Sequence, residues 1–348
     1  MAIVATPETP LWLDRLRAPA ARYSPGLLLS LVVALAATFI GVHLPIVGGP
    51  VAGIVLGAAL GGLLRPGEHL RPGLALASKN LLQASIVVLG TGLSLSQVAR
   101  VGAGSLPVMF GTLTVALTGA WLFGRLLGVH GDARTLIGVG TGICGASAIA
   151  ATTAVIAAGE VDVAYAIGTI FTFNVAAVLL FPLLGHLLGL SQHAFGLWSG
   201  TAINDTSSVV AAAYSYGATA GAYGVVVKLT RSLMIVPIAV ALGVWRARRE
   251  PGRTGRLRLP LRRMFPMFIL GFLVAAAANS LGLIPAEAHA GLGALGVFLI
   301  TVALAGIGLG ISPATIRRAG HRPLLLGALL WVAVALTSLG LQALTGTL

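Results

Sequence analysis

The chain is poor in charge. Of 348 residues only 9% are Asp, Glu, Lys or Arg, and nine are acidic; a soluble domain carries about 25% charged residues. So few charges cannot cover a surface in water, which excludes a soluble enzyme. There is one cysteine, Cys144, which excludes an intramolecular disulfide and a cysteine-built metal cluster. No lysine follows a glycine-rich stretch as a phosphate loop requires, and no His-Glu-x-x-His occurs. Paired embedded aspartates, or a serine facing a mid-span histidine, are also missing, which speaks against an intramembrane protease. No catalytic residue, resident metal or cofactor is implied, and the chain does not read as an enzyme.

What is present is apolar and small. Hydrophobic residues make up 57%, aromatics only 6%, and 47 residues are glycine; the mean hydropathy is +0.98. This is the composition of helices packed closely in lipid. A spanning helix needs about 20 mostly apolar residues. Eleven such runs lie at 27–44, 46–64, 79–97, 104–128, 134–157, 163–189, 194–217, 222–245, 265–284, 290–312 and 323–346. The expected fold is all-α and polytopic, with a cytoplasmic segment at 1–24, a retained signal anchor as the first span, and one transmembrane domain over 25–348.

The net charge of +13 reports topology rather than nucleic-acid binding, because the basic residues sit between the apolar runs. With the N-terminus in the cytoplasm, nineteen of the 22 Lys and Arg fall inside, as the positive-inside rule asks. Eight of them form the loop 246–263, within the candidate linker Trp245–Arg263, which fixes topology and can meet anionic headgroups. The bilayer is therefore a partner. A homodimer is compatible with the sequence, though no residue demands it.

Two internal repeats are visible. At an offset of 216, Gly90-Thr-Gly-Leu-Ser-Leu-Ser96 matches Gly306-Ile-Gly-Leu-Gly-Ile-Ser312, and the register runs on to Pro107 and Pro323. An odd number of spans separates the copies, so they are inverted, a common plan of secondary transporters. At an offset of 60, Gly140-Thr-Gly-Ile143 matches Gly200-Thr-Ala-Ile203. Eleven spans make these two copies parallel. Either the match is convergent or a span in this region is miscounted.

The chemistry concentrates in three runs. Gly142, Cys144, Gly145, Ala146 and Ser147 read as a break in a membrane helix near the midplane. A half-helix starting there aims free N–H groups at an anion; the bland alternative is a small-residue packing face. Asn204, Asp205, Thr206 and Ser207 hold the one embedded carboxylate, a candidate proton carrier or sodium ligand, or a structural partner for a buried base. Lys228 and Arg231 share one helix face. They are candidates for binding a small oxyanion, or for neutralising Asp205 and snorkelling. Asn174 and Asn279 are weaker polar candidates.

These motifs, with Val227-Lys-Leu-Thr-Arg231 and Ala319-Gly-His-Arg-Pro323, resemble the YeiH-type sulfate exporter family, from about the second span to the C-terminus. The resemblance implies a secondary transporter akin to the bile acid–sodium symporters, exporting sulfate or sulfite across a bacterial inner membrane. The coupling ion would be H+ or Na+. Many members of that family carry His-Glu where this chain has Asn204-Asp205, so a histidine-dependent proton step has no group here. Two other classes fit the same residues: a cation/proton antiporter centred on Asp205, and a passive anion channel.

Overall fold

A computed structural model describes residues 11–43, 48–64, 66–249, 267–311 and 320–348. Residues 1–10, 44–47, 65, 250–266 and 312–319 lie outside the described residues, and with them part of the N-terminal segment, Arg65, most of the basic loop 246–263 and the Ser312–Ala319 stretch of the first repeat.

Every regular element among the described residues is helical. Helix α1 is Leu11–His43 and α2 is Gly48–Leu64. Next, α3 (Arg71–Ala75) runs through a π-helical turn, Leu76–Leu81, into α4 (Leu82–Gly90). Helix α5 is Leu95–Leu126. Its start is set by Ser94, whose hydroxyl accepts from the Gln97 N–H while the Gln97 side chain accepts from the Ser94 N–H, a reciprocal cap. There follow α6 (Gly131–Gly142), α7 (Ala146–Ile156), α8 (Glu160–Leu187), α9 (Gln192–Ala202), α10 (Thr206–Tyr216), α11 (Ala218–Ser232) and α12 (Ile235–Arg249). The chain closes with α13 (Met267–Ser280), α14 (Ala286–Leu309) and α15 (His321–Thr345). Among the described residues, seven helices are long and apolar enough to cross a membrane, counting α3–α4 and α11–α12 as one each. The protein is an all-α, polytopic membrane protein.

The helices form two groups. In the first, α1, α2, α3–α4, α13 and α14 pack together; in the second, α5 to α12 pack with α15. Glycines let backbones touch in the first group. A Cβ added at Gly57 of α2 would lie 2.5 Å from the Ala305 oxygen, and one at Gly308 of α14 would lie 2.4 Å from the Ile54 oxygen. Dispersion at that close approach is what holds helices together where lipid supplies no hydrophobic drive.

The runs 134–157 and 194–217, read above as full spans, each fold back on themselves. Helices α6 and α7 lie side by side: a Cβ at Gly140 would meet the Ile149 side chain at 3.0 Å. At the base of this pair Val129 and Ala133 share an apolar cluster with Ile156, and Asp132 neighbours Asp162 of the first turn of α8. Helices α9 and α10 do the same. Gln192, the first residue of α9, accepts from the N–H groups of Thr219 and Ala220 at 3.0 and 3.2 Å, just beyond the end of α10. Tyr216, the last residue of α10, donates to the Leu190 oxygen at 2.5 Å and stacks on Phe195. The physical reason is length. Helices of eleven or twelve residues rise only about 17 Å, little more than half of a hydrocarbon core of about 30 Å, and hydropathy carries no sign of direction.

The two hairpins enter from opposite ends of the bundle. The start of α8 lies at the base of the α6–α7 hairpin and its end at the base of the α9–α10 hairpin, where the Tyr216 hydroxyl reaches the Gly185 oxygen. This reverses α8 relative to the eleven-span reading. The two hairpins are separated by one long helix, α8, and point at each other. The register holds residue for residue at the turn. Helices α6 and α9 both end on a C-cap isoleucine, Ile143 and Ile203, and α7 and α10 both have eleven residues. Helices α5 and α15 pack antiparallel, Gly111 against Leu341 and Gly119 against Leu330.

Candidate functional site

The hairpin tips meet half-way along α8. A Cβ at Gly145 would touch the Asp205 Cβ at 3.4 Å and Ile170 of α8 at 3.3 Å. Gly145 has φ +66° and ψ −129°, a conformation that a side chain strains, so the turn from α6 to α7 needs glycine there. The second tip turns through ordinary extended backbone at Ile203 and Asp205. Asp205 caps α10: its carboxylate accepts from the Ser207 N–H at 3.0 Å and from the Ser207 hydroxyl. The Asp205 N–H donates to the Asn174 Oδ1 of α8 at 3.2 Å.

Two helices that stop in mid-bundle leave carbonyls without intrahelical donors. Lys228 and Arg231 of α11, both 0% exposed, supply them. Lys228 Nζ donates to the oxygens of Ile143, Ile203 and Asn204 at 2.9, 2.8 and 2.5 Å. Arg231 donates through Nε to Gly142 at 2.7 Å, through Nη1 to Ile203 at 3.2 Å and through Nη2 to Thr141. Two cations thus sit at the C-terminal ends of α6 and α9, where the helix dipole favours positive charge. Neither forms an ion pair with Asp205. The expectation that one base neutralises Asp205 is corrected, because the carboxylate is held at the start of α10 instead. The expectation that the bases reach out to a ligand meets a further fact: Lys228 has three donors, and all three go to backbone oxygen.

The N-terminal ends are treated differently. Helix α7 has Gly145 as its N-cap and no side-chain cap. The N–H groups of Ala146 and Ser147 have no partner among the described residues. Ala146 and Ser147 are exposed, and Ala150, Ala154 and Ala157 continue the exposed face down to the hairpin base. A face of alanine and serine is small and weakly apolar, unlike the Leu, Val and Phe that α1 turns outward at Leu28, Val32, Leu35, Phe39 and Val42. This face runs up to the tips. Beside it lie Asp205 and Thr206, both half-buried, and Ser207, which is buried.

The structure therefore brings together Gly142, Cys144, Gly145, Ala146, Ser147, Asn204, Asp205, Thr206, Ser207, Lys228 and Arg231. Cys144 is buried against Leu113, Val139, Ala148, Ile235 and Ala239, a packing residue. Asn174 belongs to the site through its bond to Asp205. Asn279 does not: it bonds His289 at 2.8 Å. Sequence reasoning missed the backbone carbonyls, which no residue type announces, and a site role for Thr141, whose buried hydroxyl, like the Oδ1 of the expected Asn204, has no hydrogen-bond partner among the described residues.

Comparison with known proteins places the chain among membrane proteins of bacteria. It is 42% identical over 329 residues to a UPF0324 membrane protein of Streptococcus pneumoniae, covering 92% of this chain and 97% of that protein. A UPF0324 membrane protein of Streptococcus pyogenes is 42% identical over 328 residues, with 92% and 97% covered. One from Streptococcus agalactiae is 38% identical over 332 residues, with 93% and 98% covered. The family profile described as conserved hypothetical protein 698 matches residues 25–327. The match spans both hairpins and all of α11, and the chain belongs to that family.

Proposed function

We propose that the protein is a secondary active transporter that carries a small inorganic oxyanion out of the cell across the inner membrane. The observation that carries this reading is the pair of inverted hairpins meeting tip to tip, with one arm open along a small-residue face. Nine crossings are formed by α1, α2, α3–α4, α5, α8, α11–α12, α13, α14 and α15, and the two hairpins are re-entrant, with their tips near the midplane. Non-helical backbone at that depth is tolerated where it is buried in protein or lines water. Inverted repeats with substrate held at interrupted helices are the plan of many secondary transporters.

Orientation follows from charge. Arg134 of α6, Arg246, which pairs with Asp132 at 3.0 Å, and Arg322, which reaches toward Gly128, lie at the base of the α6–α7 hairpin. The positive-inside rule makes that end cytoplasmic, and with it the N-terminus. The open arm then faces the cytoplasm, as an exporter's loading site must.

The ligand class follows from the balance at the tips. Lys228 and Arg231 against Asp205 leave one positive charge in excess. The free N–H groups of Ala146 and Ser147 and the Ser147 hydroxyl stand at the positive end of α7, an arrangement that receives anions. Lys228 and Arg231 contribute field rather than contact. Sulfate or sulfite is the substrate that the resemblance to the YeiH-type exporters adds. Asp205, at the second tip and free of any ion pair, is the coupling group; a cation exchanger centred on it is the second reading.

The test is flux in proteoliposomes with labelled sulfate and sulfite, under imposed proton and sodium gradients in turn. Gradient-driven flux of one anion that Asp205→Asn abolishes is the expected result. Folded protein that moves neither anion overturns the oxyanion reading and leaves cation exchange to be measured. Anion current without any gradient dependence makes the protein a channel.

A further inference from the structure

The carbonyl oxygens at the C-terminal ends of interrupted membrane helices are where transporters of this plan hold a coupling cation. Here that cage is already filled. Oxygens from both hairpins, Ile143 on one and Ile203 and Asn204 on the other, surround Lys228 Nζ at 2.5 to 2.9 Å. Three acceptors around one nitrogen need three N–H donors, which only the ammonium form has. The nitrogen is fully buried and reaches the tips from a third element, α11. Other charged or titratable groups that face it are Arg231 on the same helix, Cys144 at the first tip and Asp205 at the second.

We propose that Lys228 is a tethered cation. Its ammonium occupies a monovalent-cation site shared by the two hairpin tips, so the native protein binds no sodium there. Removing the side chain exposes a site for a free cation of the ammonium class. The consequence for coupling alone rests on the transport reading. With the carbonyl cage filled by the tethered ammonium, sodium has no cage to enter, which leaves the Asp205 carboxylate at the second tip, a group that can take up and release a proton, to do the coupling. The coupled ion is then H+ and not Na+.

The binding part is tested on the purified full chain, without transport. Thermal unfolding is followed in sodium, potassium, ammonium and methylammonium chloride, each against choline chloride, whose cation is too large for the cage. Wild type is expected to be indifferent to sodium relative to choline. Lys228→Ala is expected to unfold lower and to be raised by about 3 °C or more in ammonium or methylammonium. A sodium-specific rise in wild type overturns the proposal, as does a Lys228→Ala protein that answers to none of the small cations. If the alanine protein does not fold, Lys228→Gln, whose longer side chain carries an amide donor toward the cage, takes its place, and the wild-type sodium comparison needs no variant. Flux is then measured with sodium replaced by choline under a proton gradient. Unchanged flux is expected, and flux that requires sodium overturns the coupling step. Absence of any flux would sink the transport reading while leaving the cation-binding result intact.

Discussion

The two hairpins are copies sixty residues apart, and they differ in two ways. The return arm of the first, α7, exposes Ala146, Ser147, Ala150, Ala154 and Ala157. The return arm of the second, α10, buries Ser207 to Ala213 and packs on α2 and α14. One return arm is exposed and the other is covered. The second difference is chemical. The tip residue is Gly145 in one copy and Asp205 in the other, so one helix start is bare and the other carries its own carboxylate. Under the transport function proposed above, dividing the tips between an open set of donors and a fixed acid would give each hairpin a separate task.

The largest break in this comparison comes from removing what ties the copies together. Arg231→Met strips the donors from the buried Thr141 and Gly142 oxygens and one of two from Ile203. Each unsatisfied buried acceptor costs about 1–3 kcal/mol, so a loss of about 3 kcal/mol or more is expected, read as a fall in the melting temperature in detergent. A melting point within about 2 °C of wild type would mean that the guanidinium is not what holds the tips. Gly145→Ala comes next. At φ +66° and ψ −129° a Cβ costs about 1–3 kcal/mol, and the methyl would press on Asp205. Flux should fall well beyond what that loss of stability explains. Full flux would show that the first tip need not turn so tightly.

Asp205→Asn separates the chemical difference from the structural one. Asparagine caps a helix about as well as aspartate, so α10 keeps its start and stability should change by less than about 1 kcal/mol. Gradient-driven flux should nonetheless be lost. A large melting shift would make Asp205 a structural cap, and intact flux would remove it from coupling.

Much of this arrangement is legible in the sequence, and the rest fails for identifiable reasons. The apolar runs, the glycine break at Gly142–Gly145, the embedded Asp205 and the Lys228–Arg231 face are all visible as residue types. The repeat at an offset of 60 even marks the two tips. Direction is not visible, because an apolar run of about 24 residues satisfies a hydropathy window whether it crosses or folds back; only the half-length of each helix after the break tells them apart. The partners of Lys228 and Arg231 are hidden for another reason. Every residue owns a carbonyl, so no pattern marks the few that two stopped helices leave free. Asn174 looks like any lone asparagine in a bundle until the tip of a hairpin places Asp205 beside it.

The smallest perturbation tests the difference in exposure itself. A cysteine at Ser147 or Ala150, in a Cys144→Ser background, changes side-chain volume little and should leave stability within about 0.5 kcal/mol. It should react with a membrane-impermeant thiol reagent applied from the cytoplasmic side. A cysteine at Ala211, on the matching arm of the second hairpin, should stay inert, because α2 and α14 cover it. Substrate and a reversed gradient should shift the two rates in opposite directions, since opening one arm requires closing the other. Equal labelling of both arms in every condition would make the exposed alanine face of α7 a lipid-facing surface, and the two hairpins would then differ in packing but not in access.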